Sequence, residues 1–146
     1  MIKKNRLFLI IFLFMNFTNL LIAESNFFNE GKKKYIEKEY DDSKFLFQRN
    51  IVFNPKDTDS YLYLAKIFNF EKNRKEEEKN VKTVLLLDPK NEEAIYMLME
   101  IELEKSNYSK VKELTESFSK VCKNLCEKKE LILDSLKNLE PKNESK

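Results

Sequence analysis

Few side chains in this sequence could do chemistry, and their spacing limits what that chemistry could be. Cys122 and Cys126 stand four residues apart in Val-Cys-Lys-Asn-Leu-Cys-Glu. In a bent segment their Cα atoms could come within disulfide range. In a continuous helix such a bridge would be strained, and two reduced thiols would pack as small hydrophobes. Residue types alone leave both readings open. A catalytic redox pair usually has two intervening residues rather than three. Carboxylates run together at Asp41-Asp42 and Glu76-Glu77-Glu78. Adjacent acids on one helix point in different directions, so these runs read as solvated faces, not acid–base pairs.

The missing residue types exclude more. The chain has no His, which removes imidazole acid–base catalysis, a Ser-His-Asp triad and imidazole metal sites. Two Cys without His cannot complete a four-ligand zinc site within one chain. Gly31 is the one glycine, too few for a loop that cradles phosphate. The expectation is a protein with no catalytic residues, no cofactor and no metal.

The elements that position these residues should be helices. A chain of 146 residues is enough for one domain. With 36% charged residues, one Gly and three Pro, it lacks the turn signals that a sandwich or barrel needs every few residues. Its Lys, Glu, Leu and Ile usage suits helices joined by short turns.

The first residues read as an export signal. Lys3, Lys4 and Arg6 precede an unbroken apolar run from Leu7 to Met15, and a weaker stretch ends Leu21-Ile22-Ala23 before Glu24. Basic, then apolar, then a small residue before the cut is signal-peptide grammar, and the expected cut follows Ala23. The alternative is an uncleaved inner-membrane anchor over 7–23, at the short edge of a spanning helix. No Cys lies near the cut to carry a lipid. In either case the remainder is expected on the periplasmic side. Losing residues 1–23 lowers the basic count from 27 to 24 against 25 acidic residues, a net charge of −1. A near-neutral, mixed-charge domain has no electrostatic footprint for nucleic acid.

The rest of the chain repeats. Phe53-Asn54-Pro55-Lys56-Asp57 is echoed by Leu87-Asp88-Pro89-Lys90-Asn91, with prolines 34 residues apart. The same shift aligns Phe27, Tyr61 and Ile95; Gly31, Ala65 and Met99; and Phe53, Leu87 and Val121. Tyr61, Leu64, Ala65 and Phe68 fall on one helical face, and Val81, Val84, Leu85 and Leu87 make another. Residues before proline avoid the helical region, so Asn54 and Asp88 stop helices. Leu131, Ile132, Leu133, Leu136 and Leu139 recur on one side of a further helix from about Glu127.

This pattern resembles the tetratricopeptide-repeat family, in which 34-residue units form antiparallel helix pairs. Tyr61, Leu64, Ala65 and Phe68 match its first-helix pattern, and Pro89 its closing proline. Glu30, Lys34, Glu77, Met99 and Lys123 depart from it. The resemblance implies an all-α fold: a short right-handed solenoid of about three helical hairpins with a C-terminal capping helix, preceded by the hydrophobic signal helix. The repeats are expected at 24–57, 58–91 and 92–125, with the capping helix and a polar tail over 126–146.

The resemblance also implies a non-enzymatic scaffold, adaptor or assembly factor that binds protein partners, and the export signal would place it in the bacterial envelope. Exposed positions on its concave side would be Phe28, Lys32 and Tyr35, then Leu62, Lys66 and Asn69, then Tyr96, Glu100 and Leu103. An apolar column beside a Lys column suits a peptide or amphipathic helix carrying acidic residues. Part of that column could equally pack between units. One family subclass clamps a terminal carboxylate, and at its positions only Lys32 fits here. The other expectation is an obligate subunit of a larger envelope complex.

Export with cleavage predicts that N-terminal sequencing of the translocated chain starts at Glu24; a translocated chain still starting at Met1 would mean that 7–23 remains as an anchor.

Overall fold

The structure, a computed structural model, describes residues 26–139. The expected signal segment and the tail from Glu140 lie outside the described residues. Among the described residues the chain forms seven helices and no strand. The described part of α1 covers 26–36. The others are α2 (Tyr40–Phe53), α3 (Thr58–Phe70), α4 (Arg74–Leu87), α5 (Glu92–Glu104), α6 (Tyr108–Val121) and α7 (Lys128–Leu139). The chain divides into two compact units after Ser60, in the first turn of α3.

In the first unit α1 and α2 close on Phe47, which is fully buried. Gly31 lies directly beneath it. A Cβ at residue 31 would sit 2.9 Å from the Phe47 ring, so this small residue is set by helix contact, not by backbone conformation. Ser43 is also buried and donates its hydroxyl to the Gly31 carbonyl at 2.9 Å. Phe27 stacks on Phe53 at 5.8 Å between centroids. Asn50, nearly buried, donates to Asp57 at 2.7 Å and to the Ser60 hydroxyl at 3.0 Å. Asp57 in turn accepts from the Ser60 N–H, capping the start of α3.

The second unit has one apolar core running through α3 to α7, including Ala65, Val81, Val84, Ala94, Met99, Ile101, Val111, Phe118, Ile132 and Leu136. Leu64, Ala65 and Phe68 are buried on α3, as are Val81 and Val84 on α4, following the spacing read from the sequence. Met99, where a small residue was expected, is fully buried with its sulfur 3.4 Å from the Thr115 hydroxyl oxygen, whose proton goes to the Val111 carbonyl at 2.8 Å. The apolar series on α7 is only partly inward: Ile132 and Leu136 are buried, whereas Leu131 and Leu139 are each 55% exposed. The helix starts at Lys128, one residue later than the periodicity suggests.

Helix ends repeat with the period. Lys38, Lys72 and Ser106 all take positive φ, at 62°, 57° and 59°, and stand 34 residues apart. After each, a backbone N–H reaches five residues back: Glu39 to Lys34, Asn73 to Phe68 and Asn107 to Glu102, at 2.9–3.0 Å. Each positive-φ residue also donates three residues back. This is the Schellman closure of α1, α3 and α5, normally built on glycine. The second helices end differently. Asn54 and Asp88 take extended geometry before their prolines, and each donates to the carbonyl four residues back. Cys122 holds the corresponding place after α6, with φ −58° and ψ 141° but no proline following.

Glu77, which the sequence puts in a small-residue position, is fully buried. Its carboxylate accepts from Asn69 at 2.7 Å and from Arg74 at 2.6 Å. Burial of the acid is thus matched by a cation and an amide.

A β-branched side chain is costly in the left-handed region. Ser106→Val is expected to lower the unfolding free energy by about 1–2 kcal/mol, measured from the urea midpoint, whereas Ser106→Gly should lose nothing.

Candidate interaction surface

The residues expected to bind a partner fall on the first helix of each hairpin. In the first unit Phe28, Lys32 and Tyr35 share one face of α1, and all three are half-buried. The Phe28 ring packs at a tilt against Phe47, 5.8 Å between centroids. Lys32 Nζ lies 5.5 Å over Phe28, and Tyr35 meets Tyr40 edge-on at 5.7 Å.

In the second unit one of the six expected exposed positions is buried and the other five are half-buried. Leu62 is only 8% exposed and belongs to the core. It borders a cleft of about 360 Å³ lined also by Asn91, Glu92, Glu93, Asn124 and Leu125, because the start of α5 and the turn before α7 close around it. Asn69 turns toward α4 and spends its amide on Glu77. Leu103 packs against the core.

Lys66, Tyr96 and Glu100 form the polar part of this face, and each is already engaged. Lys66 Nζ lies 2.8 Å from a Glu93 carboxylate oxygen and 5.1 Å over the Tyr63 ring. The Tyr96 hydroxyl donates to Glu100 at 2.7 Å, and Lys128 Nζ lies 6.0 Å over the Tyr96 ring. Burial, reinforced by the Glu100 carboxylate, pushes the Tyr96 hydroxyl up to about 12. Lys66 is paired with Glu93, and the cleft sets Leu62 and Leu125 among Asn91, Glu92, Glu93 and Asn124. Of the expected lysine column, Lys66 is thus already matched by a carboxylate.

The Cys122 and Cys126 sulfurs are bonded, with Cα atoms 5.2 Å apart. The segment is bent, not helical, so the condition for a bridge is met. Glu92, in the first turn of α5, closes the same loop. Its carboxylate accepts from the backbone N–H groups of Lys123 at 2.6 Å, Asn124 at 3.1 Å and Leu125 at 3.3 Å. These hydrogen bonds, with the Lys123 N–H foremost, hold the Glu92 carboxyl below its ordinary value. The stability they give is present above the usual glutamate pKa and fades as pH falls through the lowered one. Sequence reasoning missed Glu92. It stands beside Glu93 at a helix start, where acids are ordinary, and nothing in its spacing separates the two.

Among the described residues no group of three His, Cys, Asp or Glu side chains could hold a metal ion. None of the described helices is long and apolar enough to cross a membrane; the proposed anchor over 7–23 lies outside them.

No protein-family model matches the sequence, and no curated protein matches it. Solved structures do. The TPR2B domain of yeast Sti1 in complex with pHsp70 aligns with a TM-score of 0.71 at 12% identity, covering 82% of this chain and 99% of that one. The Sgt2 TPR domain from Aspergillus fumigatus aligns at 0.65 and 15% identity, covering 85% and 88%. The Yersinia enterocolitica type III secretion chaperone SycD, in complex with a peptide of the translocator YopD, aligns at 0.65 and 17% identity, covering 78% and 89%. The fold is that of tetratricopeptide-repeat domains: helical hairpins in sequence, with no strand among the described residues.

The Tyr96 environment predicts an ionisation step near pH 12 in an ultraviolet titration. Tyr96→Phe should remove that step and Glu100→Gln should move it down. Because burial favours the neutral hydroxyl, its contribution to stability should be complete below the ordinary tyrosine value and lost as pH rises toward 12.

Proposed function

We propose that this chain is a non-enzymatic protein-binding module of the bacterial envelope. Its second unit holds a peptide or an amphipathic helix over the cleft between α3, α5 and the turn before α7. The observation that carries this reading is the cleft floored by Leu62 and edged by Glu93, which pairs with Lys66, and, one turn along α5 from Glu93, the half-buried Tyr96 with Lys128 over its ring. A half-buried aromatic beside a cleft is the usual anchor of a protein interface. The ligand suited to it has an apolar anchor and little net charge, since Lys66 is paired with Glu93 while Lys128 stands at the Tyr96 ring. Two structures of the same fold are complexes: Sti1 TPR2B with pHsp70, and SycD with a YopD peptide. Export to the periplasm rests on the basic start and apolar run of the first residues. The Cys122–Cys126 bond suits an oxidising compartment.

A second reading, an obligate subunit of a larger envelope complex, is favoured by apolar side chains left in water. Val52 is 77% exposed in the first unit, and Leu86 is 81% exposed in the second. Such residues are normal singly but costly in number.

A photo-crosslinking residue placed at Tyr96, and separately at the exposed Lys75 of α4, tests the site in cells. The expected result is one adduct from Tyr96, absent from Lys75 and lost when Leu62→Asp is added. Equal labelling from both positions, or none from either, would overturn the cleft as the site. Labelling from Lys75 alone would favour the subunit reading.

A further inference from the structure

The third hairpin closes by different means from the hairpins before it. After α2 and α4, a residue in extended geometry precedes a proline. After α6, that place is held by Cys122, and Lys123 follows. With no proline to restrict it, this turn is held by two contacts. One is the Cys122–Cys126 bond, which closes a five-residue ring. The other is Glu92, gripped by three successive backbone N–H groups inside that ring and by the Asn124 side chain at 3.1 Å. Consecutive N–H groups that converge on one carboxylate form an anion nest, and a nest exists only while its backbone stays curved.

We propose that the Cys122–Cys126 disulfide is a redox latch whose reduction releases α7 from α5 and α6. Breaking the bond returns backbone freedom to residues 123–125. The nest then opens and Glu92 loses its partners. The hold that α7 keeps is small. Of its twelve residues, Ile132 and Leu136 are buried, and one long-range hydrogen bond runs from the Tyr108 hydroxyl to the Leu139 carbonyl at 3.0 Å. A short helix with so little burial lies at the low end of local stability.

The bond is open to attack, since Cys126 is exposed while Cys122 is half-buried. A dithiol reductant is the co-reactant. Its thiolate attacks Cys126 Sγ, the disulfide breaks, and Cys122 leaves as a thiolate. The second thiol of the reductant, as thiolate, then attacks the mixed disulfide and releases Cys126. Two electrons and two protons pass to the protein, and the dithiol becomes a disulfide. Release of α7 uncovers the apolar side chains of α5 and α6 on which it packs and removes Lys128 from Tyr96. This inference does not depend on the cleft being the binding site.

The test is hydrogen exchange on the full chain, oxidised and then reduced with dithiothreitol under native conditions, with thiol counting to confirm reduction and a hydrophobic dye as second readout. The expected result is exchange in 128–139 faster by roughly tenfold or more, a rise in dye fluorescence, and little change at Val84 or Met99. The Cys122→Ser, Cys126→Ser double variant should match the reduced protein, and dithiothreitol should leave it unchanged. Glu92→Gln should loosen α7 with the bond intact. Three outcomes would overturn the proposal: α7 protected equally in both states, all helices of the second unit opening together, or a bond that dithiothreitol cannot reach while the chain is folded.

Discussion

Each α-helix leaves four N–H groups at its start and four carbonyls at its end without partners inside the helix. A chain that packs short helices edge to edge must satisfy these ends every dozen residues. This chain does so with one glycine, and Gly31 is used elsewhere, beneath Phe47. The burden falls on Lys38, Lys72 and Ser106, which accept left-handed geometry so that the next N–H can reach five residues back. It falls equally on Asn54 and Asp88, which turn extended ahead of their prolines. Because these two kinds of ending alternate with a fixed spacing, successive helices within each unit end at fixed lengths, and their apolar faces meet.

Much of this arrangement could be read from residue types. The prolines at 55 and 89, and the columns through Tyr61, Ala65 and Leu87, name the hairpins because a residue before proline and a 3, 1, 3 apolar spacing have direct steric meanings. The left-handed positions could not be read, because lysine and serine carry no signal for them; only tertiary closure forces the geometry. Exposure was also misjudged at Leu62, and at Asn69 the direction of the side chain. A one-dimensional pattern tells which face of α3 points away from α4. It does not tell how closely α5 and the turn at 123–125 lean over that face. The role of Glu92 was invisible for the same reason, since its partners are backbone groups more than thirty residues away.

The buried acids follow one rule. Glu77 is fully buried and Glu102 nearly so, each near a hairpin turn and each with an amide on it: Asn69 on Glu77 at 2.7 Å, and Asn107 on Glu102 at 2.7 Å. A cation completes each set, Arg74 for the first and Lys105 at 3.3 Å for the second. Such pairs add little net stability compared with apolar replacements, but removing one partner strands the other. The amide contact acts on register: α4 can slide along α3 only by breaking the Asn69–Glu77 hydrogen bond, while Arg74, on α4, moves with its acid. Glu78 adds a bridge between helices by accepting from both Lys82 and Lys105, and the Lys105 contact, with Lys82 second, holds its carboxyl below the ordinary range.

The same logic explains why the array changes character at α7. Asp57 and Asn91 begin α3 and α5 by accepting the N–H three residues on. One period later the residue is Leu125, whose side chain has no oxygen to offer. The chain instead makes three successive backbone turns, Lys128 to Leu125, Lys129 to Cys126 and Glu130 to Glu127, and the helix starts late. With neither a proline to end α6 nor a capping side chain to start α7, the turn needs an outside constraint, and the disulfide and Glu92 supply it. Glu92, with Asn124 and Leu125 of the bridged loop, lines the cleft floored by Leu62, so the contacts that shape the last turn also shape the surface proposed for a partner. A change in one is felt in the other through Asn124 and Leu125, which belong to both.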